Sequence, residues 1–363
     1  MKVPFLNLSK QYKNLKREID DAVFSTIESG HFVMGDAVSK FEKNIGDYLG
    51  LNAVSCASGS DALFIALKAA DIGPEDEVIT TPFTFFATAG AIVRTGAKPV
   101  FVDIKKDTYN INPKLIEPEI TKNTKAIIPV HIFGYPADMD EIMSIAKEHE
   151  LVVIEDACQS IGAKYKNIMT GGIGDYGTFS FFPTKNLGAY GDGGLISVKE
   201  SDNVKYVKMF RLHGSEEKYH HDFVGINSRL DALQAAILDI KLKYLDQWNE
   251  KRQGIAKTYN ESLKDLIITP VEEDEKTHVY HQYSIRTKNR DRLREHLNEN
   301  GIASGVYYPV PLHLQRCFLD LGYKKGDLPI SELVADEILS LPIYPEIEEE
   351  QIAYTAEAVR SFF

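Results

Sequence analysis

Lys185 follows the short aromatic run Ser180-Phe181-Phe182-Pro183-Thr184 and precedes the glycine-dense turn Gly188-Ala189-Tyr190-Gly191-Asp192-Gly193-Gly194. A surface lysine needs no such surroundings. A lysine that condenses with a carbonyl does: its amine must be desolvated enough to lose a proton easily. The backbone around it must also let a planar ring lie close, which glycine permits.

Three other segments offer matching parts. The strand-like Ala53-Val54-Ser55-Cys56-Ala57 runs into Ser58-Gly59-Ser60 and an apolar helix. Free backbone N–H groups of Gly59 and Ser60 at a helix N-terminus suit a phosphate, although a plain N-cap by Ser58 or Ser60 gives the same pattern. The apolar run Leu151-Val152-Val153-Ile154 ends in Glu155-Asp156. Asp156 there can pair with a protonated heteroaromatic nitrogen or cap a helix, and Gln159 can reach a ring oxygen or merely open that helix. Thr81-Pro82-Phe83-Thr84-Phe85-Phe86 sets an aromatic cluster past another strand end, as a stacking face or as core. Together these are a phosphate cradle, an aromatic platform, a carboxylate for a ring nitrogen and a Schiff-base lysine. Pyridoxal phosphate needs this set of contacts.

Alternating short apolar runs and helical patterns must position these groups. Strands are expected at Ala53–Ala57, Glu77–Thr80, Pro99–Val102, Ala126–Val130, Leu151–Glu155, Thr178–Phe182 and Gly194–Val198. Helices are expected at Asp61–Ala70, Thr84–Thr95 and Met139–His149. That alternation predicts an α/β fold, a mostly parallel sheet covered on both faces, with functional groups at the carboxyl ends of the strands. From about Asp231 the pattern changes to one or two long helices through residue 265, a strand at Val279–Arg286 and a charged helix at Arg290–Asn300. Two domains are expected, a large one over 1–245 and a smaller α+β one over 246–363.

With 363 residues, 44% hydrophobic and 26% charged, the composition is that of an ordinary soluble protein. A net charge of −12 argues against a nucleic-acid-binding face. No apolar run reaches the roughly 18 residues of a membrane span, and the N-terminus lacks a signal core, so a cytoplasmic location is expected. Cys56, Cys158 and Cys317 are too scattered for a disulfide framework or zinc site. His213, His220 and His221 lack a carboxylate or cysteine at ligand spacing, so no metal is expected. Gly172, Gly174 and Gly177 form a G-x-G-x-x-G, but a strand pattern follows where a dinucleotide site requires a helix.

Combined, the motifs resemble those of the nucleotide-sugar aminotransferases within the PLP fold type I (aspartate-aminotransferase-like) superfamily, over essentially the whole chain. The motifs are Ser29-Gly30, Gly35, Phe41-Glu42, Ser58 to Leu63, Thr84 to Thr88, Val130-His131, Glu155 to Gln159 and Ser180 to Gly194. Gly225-x-Asn227-x-Arg229 and Tyr308-Pro309-x-Pro311-Leu312-His313 complete the set. The resemblance implies a three-layer sheet and a smaller C-terminal domain. It also implies pyridoxal 5'-phosphate as cofactor, with Lys185 as Schiff-base anchor and proton carrier, and Asp156 on the pyridinium nitrogen. Gln159 would lie near the ring hydroxyl, Phe85 on the ring face, and Gly59, Ser60 and Ser180 at the phosphate. Asn227 would reach the phosphate of a neighbouring subunit, making a homodimer with shared sites, while Tyr308 and His313 resemble positions near the sugar nucleotide. The run from Phe182-Pro183 to Gly194 is similar to enzymes that aminate C3 of a dTDP-linked 3-keto-6-deoxyhexose from L-glutamate, in amino-sugar biosynthesis for S-layer or lipopolysaccharide glycans. UDP-keto-sugar or C4 enzymes, and a non-catalytic regulator on the same fold, are the alternatives.

Overall fold

A computed structural model describes all residues from Met1 to Phe363. Its centre is a seven-stranded sheet built from β1 (Asn52–Cys56), β2 (Glu77–Thr80), β3 (Lys98–Phe101), β4 (Thr124–Ile128), β5 (Val152–Asp156), β8 (Tyr176–Ser180) and β9 (Gly194–Val198). The short strands β6 (Lys164–Tyr165) and β7 (Ile168–Met169) form a hairpin beside β10 (Lys276–Thr277). Spatial order in the large sheet is β1-β9-β8-β5-β4-β2-β3. Every neighbouring pair is parallel except the two that involve β9, so one strand of seven runs against the rest.

Continuous apolar strands explain the layering, because successive side chains leave opposite faces of the sheet. Val54, Val78, Ala126, Ile128, Ile154 and Ile196 point to one core, shared with α3 (Gly59–Ala69), α4 (Ala87–Thr95) and α6 (Ser201–Phe210). Ile79, Ile127, Val153, Phe179 and Leu195 point to the other face. Helices α2 (Asp36–Leu49), α5 (Met139–Glu148) and α7 (Ala232–Leu242) cover that side, and α1 (Leu8–Ser29) packs outside α7. The expected three-layer sheet is what forms.

The C-terminal third has its own core around the two-stranded sheet of β11 (Tyr283–Arg286) and β12 (Ile338–Leu341), with α9 (Arg290–Glu299) and α11 (Glu349–Arg360). Helix α8 (Leu245–Leu263) joins the two regions: Leu245 packs with the large sheet, Ile255 onward with the small one. Helix α10 (Pro329–Glu337) bridges to the large sheet, where Asp103 accepts hydrogen bonds from the Ile330 and Ser331 amides at 2.8 Å each. Residues 279–282 are not strand as expected; they form an irregular segment in which Tyr280 takes a left-handed φ of +43°.

Candidate active site

The parallel strands all end on one edge of the sheet, and the expected groups collect there. β1 runs into the turn that opens α3. Ser58 caps that helix, its hydroxyl accepting from the Asp61 amide at 3.1 Å. Gly59 lies against the end of β8: a Cβ on it would stand 2.7 Å from Ser180 Cβ and 3.0 Å from Cys158 Sγ. No side chain fits, so the amides of the first α3 turn stay open beside Ser180. Ser60 is exposed on the same turn, and the Ser180 hydroxyl accepts from the Phe182 amide at 3.3 Å. Ser58 is therefore the cap, and Gly59 leaves the turn beside it without a side chain.

Asp156 closes β5 and is buried. Its Oδ2 accepts from the Thr88 hydroxyl at 2.8 Å and its Oδ1 from the Cys158 amide at 3.2 Å. Thr88 has one proton and gives it to Asp156, so the Thr84 hydroxyl, 3.0 Å away, donates to Thr88. Thr88 was hidden in the sequence within an apparent aromatic motif; its spacing of four from Thr84 in the expected helix was the available signal. The expected helix Thr84–Thr95 starts only at Ala87, which leaves Phe83 to Phe86 as a loop over the site.

Gln159 is fixed in one orientation. Its Oε1 accepts from the Phe133 amide at 2.8 Å, and its Nε2 donates to the Tyr308 hydroxyl at 3.1 Å. One amide hydrogen remains for a ligand. Tyr308 also packs near Phe85, with ring centroids 6.3 Å apart, and Phe85 keeps 55% of its surface exposed. Burial pushes the Tyr308 phenol above its ordinary range, with the Gln159 hydrogen bond opposing. His313 is placed differently: it is fully buried, its Nε2 3.1 Å from Glu332 Oε1, packed within the protein rather than on a site surface.

Lys185 is half-buried on the turn after β8. Burial lowers its amine's affinity for a proton, with the charges of Cys158 and Asp156 partly opposing. The turn is held from α7: Gln234 Oε1 accepts from the Tyr190 amide at 2.8 Å, and the buried Lys241 ammonium donates to the Gly188 carbonyl at 2.7 Å. Asn227 is exposed, but the adjacent Ser228 docks its loop on the cradle, accepting from the Ala57 amide at 3.1 Å and donating to Asp61 at 2.7 Å.

Beside Asp156, Glu155 points to the opposite face. It accepts from the amides of Gly171 (2.8 Å), Ile173 (2.7 Å) and Gly174 (2.8 Å) and pairs with His131 Nε2 at 2.8 Å. His131 Nδ1 accepts from the Ala137 amide at 3.0 Å, which puts the ring proton on Nε2. The glycine run at 172–177 thus wraps a buried carboxylate and continues into β8. It opens no helix and no dinucleotide site.

These groups fit pyridoxal phosphate: an open cradle at Gly59, an oriented carboxylate, a free amide hydrogen, an exposed aromatic face and a desolvated lysine converge on one edge. The fold and the site define an aminotransferase of PLP fold type I. The chain belongs to the DegT/DnrJ/EryC1/StrS aminotransferase family, which it matches over residues 13–360, and is a PLP-dependent sugar aminotransferase. It is similar to a protein of Geobacillus stearothermophilus named "Pleiotropic regulatory protein" (53% identity, covering 100% of this chain and 99% of the relative). It is also similar to the UDP-N-acetyl-3-dehydro-alpha-D-glucosamine 3-aminotransferase of Acidithiobacillus ferrooxidans (42%; 99% and 97%). A third relative is the dTDP-3-amino-3,4,6-trideoxy-alpha-D-glucose transaminase of Streptomyces venezuelae (40%; 99% and 96%). The crystal structure of S. venezuelae DesV with a ketimine intermediate superimposes with a TM-score of 0.98 at 40% identity, covering 99% of this chain and 98% of that one. NtdA from Bacillus subtilis, solved with bound cofactor PMP, gives 0.93 at 34%, covering 99% and 85%.

Proposed function

We propose that the protein moves an amino group from L-glutamate to the C3 keto group of a dTDP-linked 3-keto-6-deoxyhexose. The observation that carries this reading is Lys185 beside Asp156 in a chain that aligns end to end with a dTDP-3-amino-sugar transaminase. When bound, pyridoxal phosphate supplies the electron sink through which an amino group leaves one carbon and joins another.

The chain's own groups do the rest. Lys185 is the covalent anchor and the proton carrier. Its depressed basicity leaves a larger free-amine fraction near neutral pH, so it can accept a proton at Nζ and return it. Asp156, held by Thr88 and the Cys158 amide, would pair with the ring nitrogen and keep it protonated. Gln159 would offer its spare amide hydrogen to the ring oxygen, and Phe85 would cover the ring face. Gly59, Ser60 and Ser180 take the phosphate at the positive end of α3. Tyr308 stays a protonated phenol beside the sugar.

Asn227 serves the partner's phosphate in a homodimer, and the exposed apolar group Phe24 (61%), Ile27 (46%), Phe32 (46%) and Val33 (50%) supplies a surface that such a partner would cover. The setting is cytoplasmic synthesis of an amino sugar for surface glycans. Two observations favour second readings: the UDP-sugar relative leaves the base open, and the 53% relative carries a regulatory name. Incubating the holoprotein with glutamate and either dTDP- or UDP-linked 3-keto sugars separates them. Amination at C3 of the dTDP sugar is expected, and Lys185→Ala should lower it by at least about a thousandfold. Equal or better turnover of the UDP sugar, or cofactor binding with no amino transfer from any donor, would overturn the substrate or the enzyme.

A further inference from the structure

The residues ahead of α1 belong to no helix, yet they are gripped at both ends. Val3 is 1% exposed and belongs to the core of the C-terminal region. Its amide donates to the Gly301 carbonyl and its carbonyl accepts from the Ala303 amide, each at 2.9 Å, so Val3 forms a parallel bridge to Ile302. At the other end Asn7 caps α1, accepting from the Lys10 amide at 3.1 Å, and Lys10 pairs with Glu348 at 2.8 Å. Leu15 and Ile19 of α1 then pack with Ile237 of α7. Between these anchors stands Phe5, its ring centroid 5.9 Å from that of Tyr307. The Tyr307 ring lies over Gly305, where no Cβ would fit, and Gly305 exchanges two backbone bonds with Ser340 of β12 at 3.0 and 2.7 Å. Tyr308 follows, with its ring 6.0 Å from that of Tyr307. Its hydroxyl accepts from Gln159 Nε2 at 3.1 Å, and its own hydrogen has no protein acceptor, so the phenol can donate to a ligand. Val3 and Phe5 thus hold the two ends of the segment 301–308 that delivers this hydroxyl to the site.

We propose that Phe5 is a positioning residue for Tyr308: by packing on Tyr307 it sets where the phenol stands, and so how tightly the site holds the sugar of its substrate. Phe83 and Phe85 meet the Tyr308 ring at 6.3 Å each, whereas the Tyr307 ring has only Phe5 and Tyr308 as aromatic partners. Removing Phe5 therefore frees Tyr307, and the covalently joined Tyr308 shifts with it. A donor displaced by a fraction of an ångström weakens the ligand it touches. The groups at the cofactor are held from elsewhere: Asp156 by Thr88 and the Cys158 amide, the lysine turn by Gln234 and Lys241, and the α3 turn by Ser58. The loss therefore falls on the sugar and spares the amino donor.

This rests on the reading of Tyr308 as a sugar contact, and the test separates the two. Stopped-flow absorbance of the cofactor in the full-length holoprotein follows its reaction with L-glutamate, or with a dTDP-linked 3-amino-6-deoxyhexose run in reverse. Phe5→Ala should raise the half-saturating concentration of the amino sugar about three- to tenfold, with its limiting rate and the glutamate reaction unchanged. Phe5→Tyr, which keeps a ring, should restore the parental value, and Tyr308→Phe should weaken the amino sugar as well. A parental concentration in Phe5→Ala, while Tyr308→Phe raises it, overturns the role of Phe5 alone. An equal loss in the glutamate and sugar reactions overturns it too, since Phe5 then supports the whole molecule. An amino-sugar reaction unmoved by Tyr308→Phe overturns the reading of Tyr308 and the proposal with it, and a parent that leaves the amino sugar unreacted overturns the substrate beneath both.

Discussion

Two acidic residues stand side by side at the end of β5, and their opposite fates show how environment assigns chemistry. Glu155 is enclosed by three amides and an imidazole and is spent on holding the 171–174 loop against His131. Asp156, one residue on and on the other face, is held by only two donors and faces the site. Thr88 is the side-chain donor of the two, the other being the Cys158 amide. Thr88→Val keeps the shape but removes a hydrogen bond to a charged group, worth about 1.5–3 kcal/mol. We expect cofactor binding roughly tenfold weaker or worse, measured by absorbance titration, with Thr88→Ser close to the parent. Equal affinities for the parent and the valine variant would show that Asp156 needs no such support.

At the scale of elements, the site depends on turns where no side chain fits. Gly59→Ala would drive a methyl group to within 2.7 Å of Ser180 and 3.0 Å of Cys158, and the α3 turn must shift away from β8. We expect at least about tenfold weaker cofactor retention with a far-ultraviolet circular dichroism spectrum unchanged; undiminished retention would remove the cradle from the phosphate. The strands were legible because fully apolar runs bounded by polar turns leave few alternatives, and β2 and β9 begin and end where the sequence places them. The strand after Lys164 was not foreseen because β6 and β7 are two residues each and pair locally. Segment 279–282 misled for a different reason: its alternating side chains read as strand, but its backbone bonds go to Gly134, Phe133, Asn186 and Arg252. Lys185, Asp156, Gly59 and Gln159 declared themselves through local motifs. Thr88 did not, since its importance lies in a contact with a group 68 positions away.

For the whole molecule, burial of neutral imidazoles makes stability depend on acid. His278 is stacked on Tyr280, its Nδ1 accepts from the Tyr280 amide at 3.0 Å, and burial lowers it to about 3 from 6.5. Its folded-state value lies below the unfolded one, so the unfolded chain binds the proton first. Stability from this ring is complete above about pH 6.5 and is lost as pH falls towards 3, at roughly 1.4 kcal/mol per unit. His281 is lowered by burial too and acts in the same direction. We expect the melting temperature to fall between pH 6.5 and 5, and His278→Phe to flatten that slope. A slope unchanged by the substitution would place the acid sensitivity elsewhere.

All of these parts serve one amine. Reducing the holoprotein with sodium borohydride and mapping the modified peptide by mass spectrometry tests it most directly. The expected result is a single cofactor-derived mass on Lys185 that disappears when excess L-glutamate is added first. A label on another lysine, or one on Lys185 that glutamate does not prevent, would contradict the account.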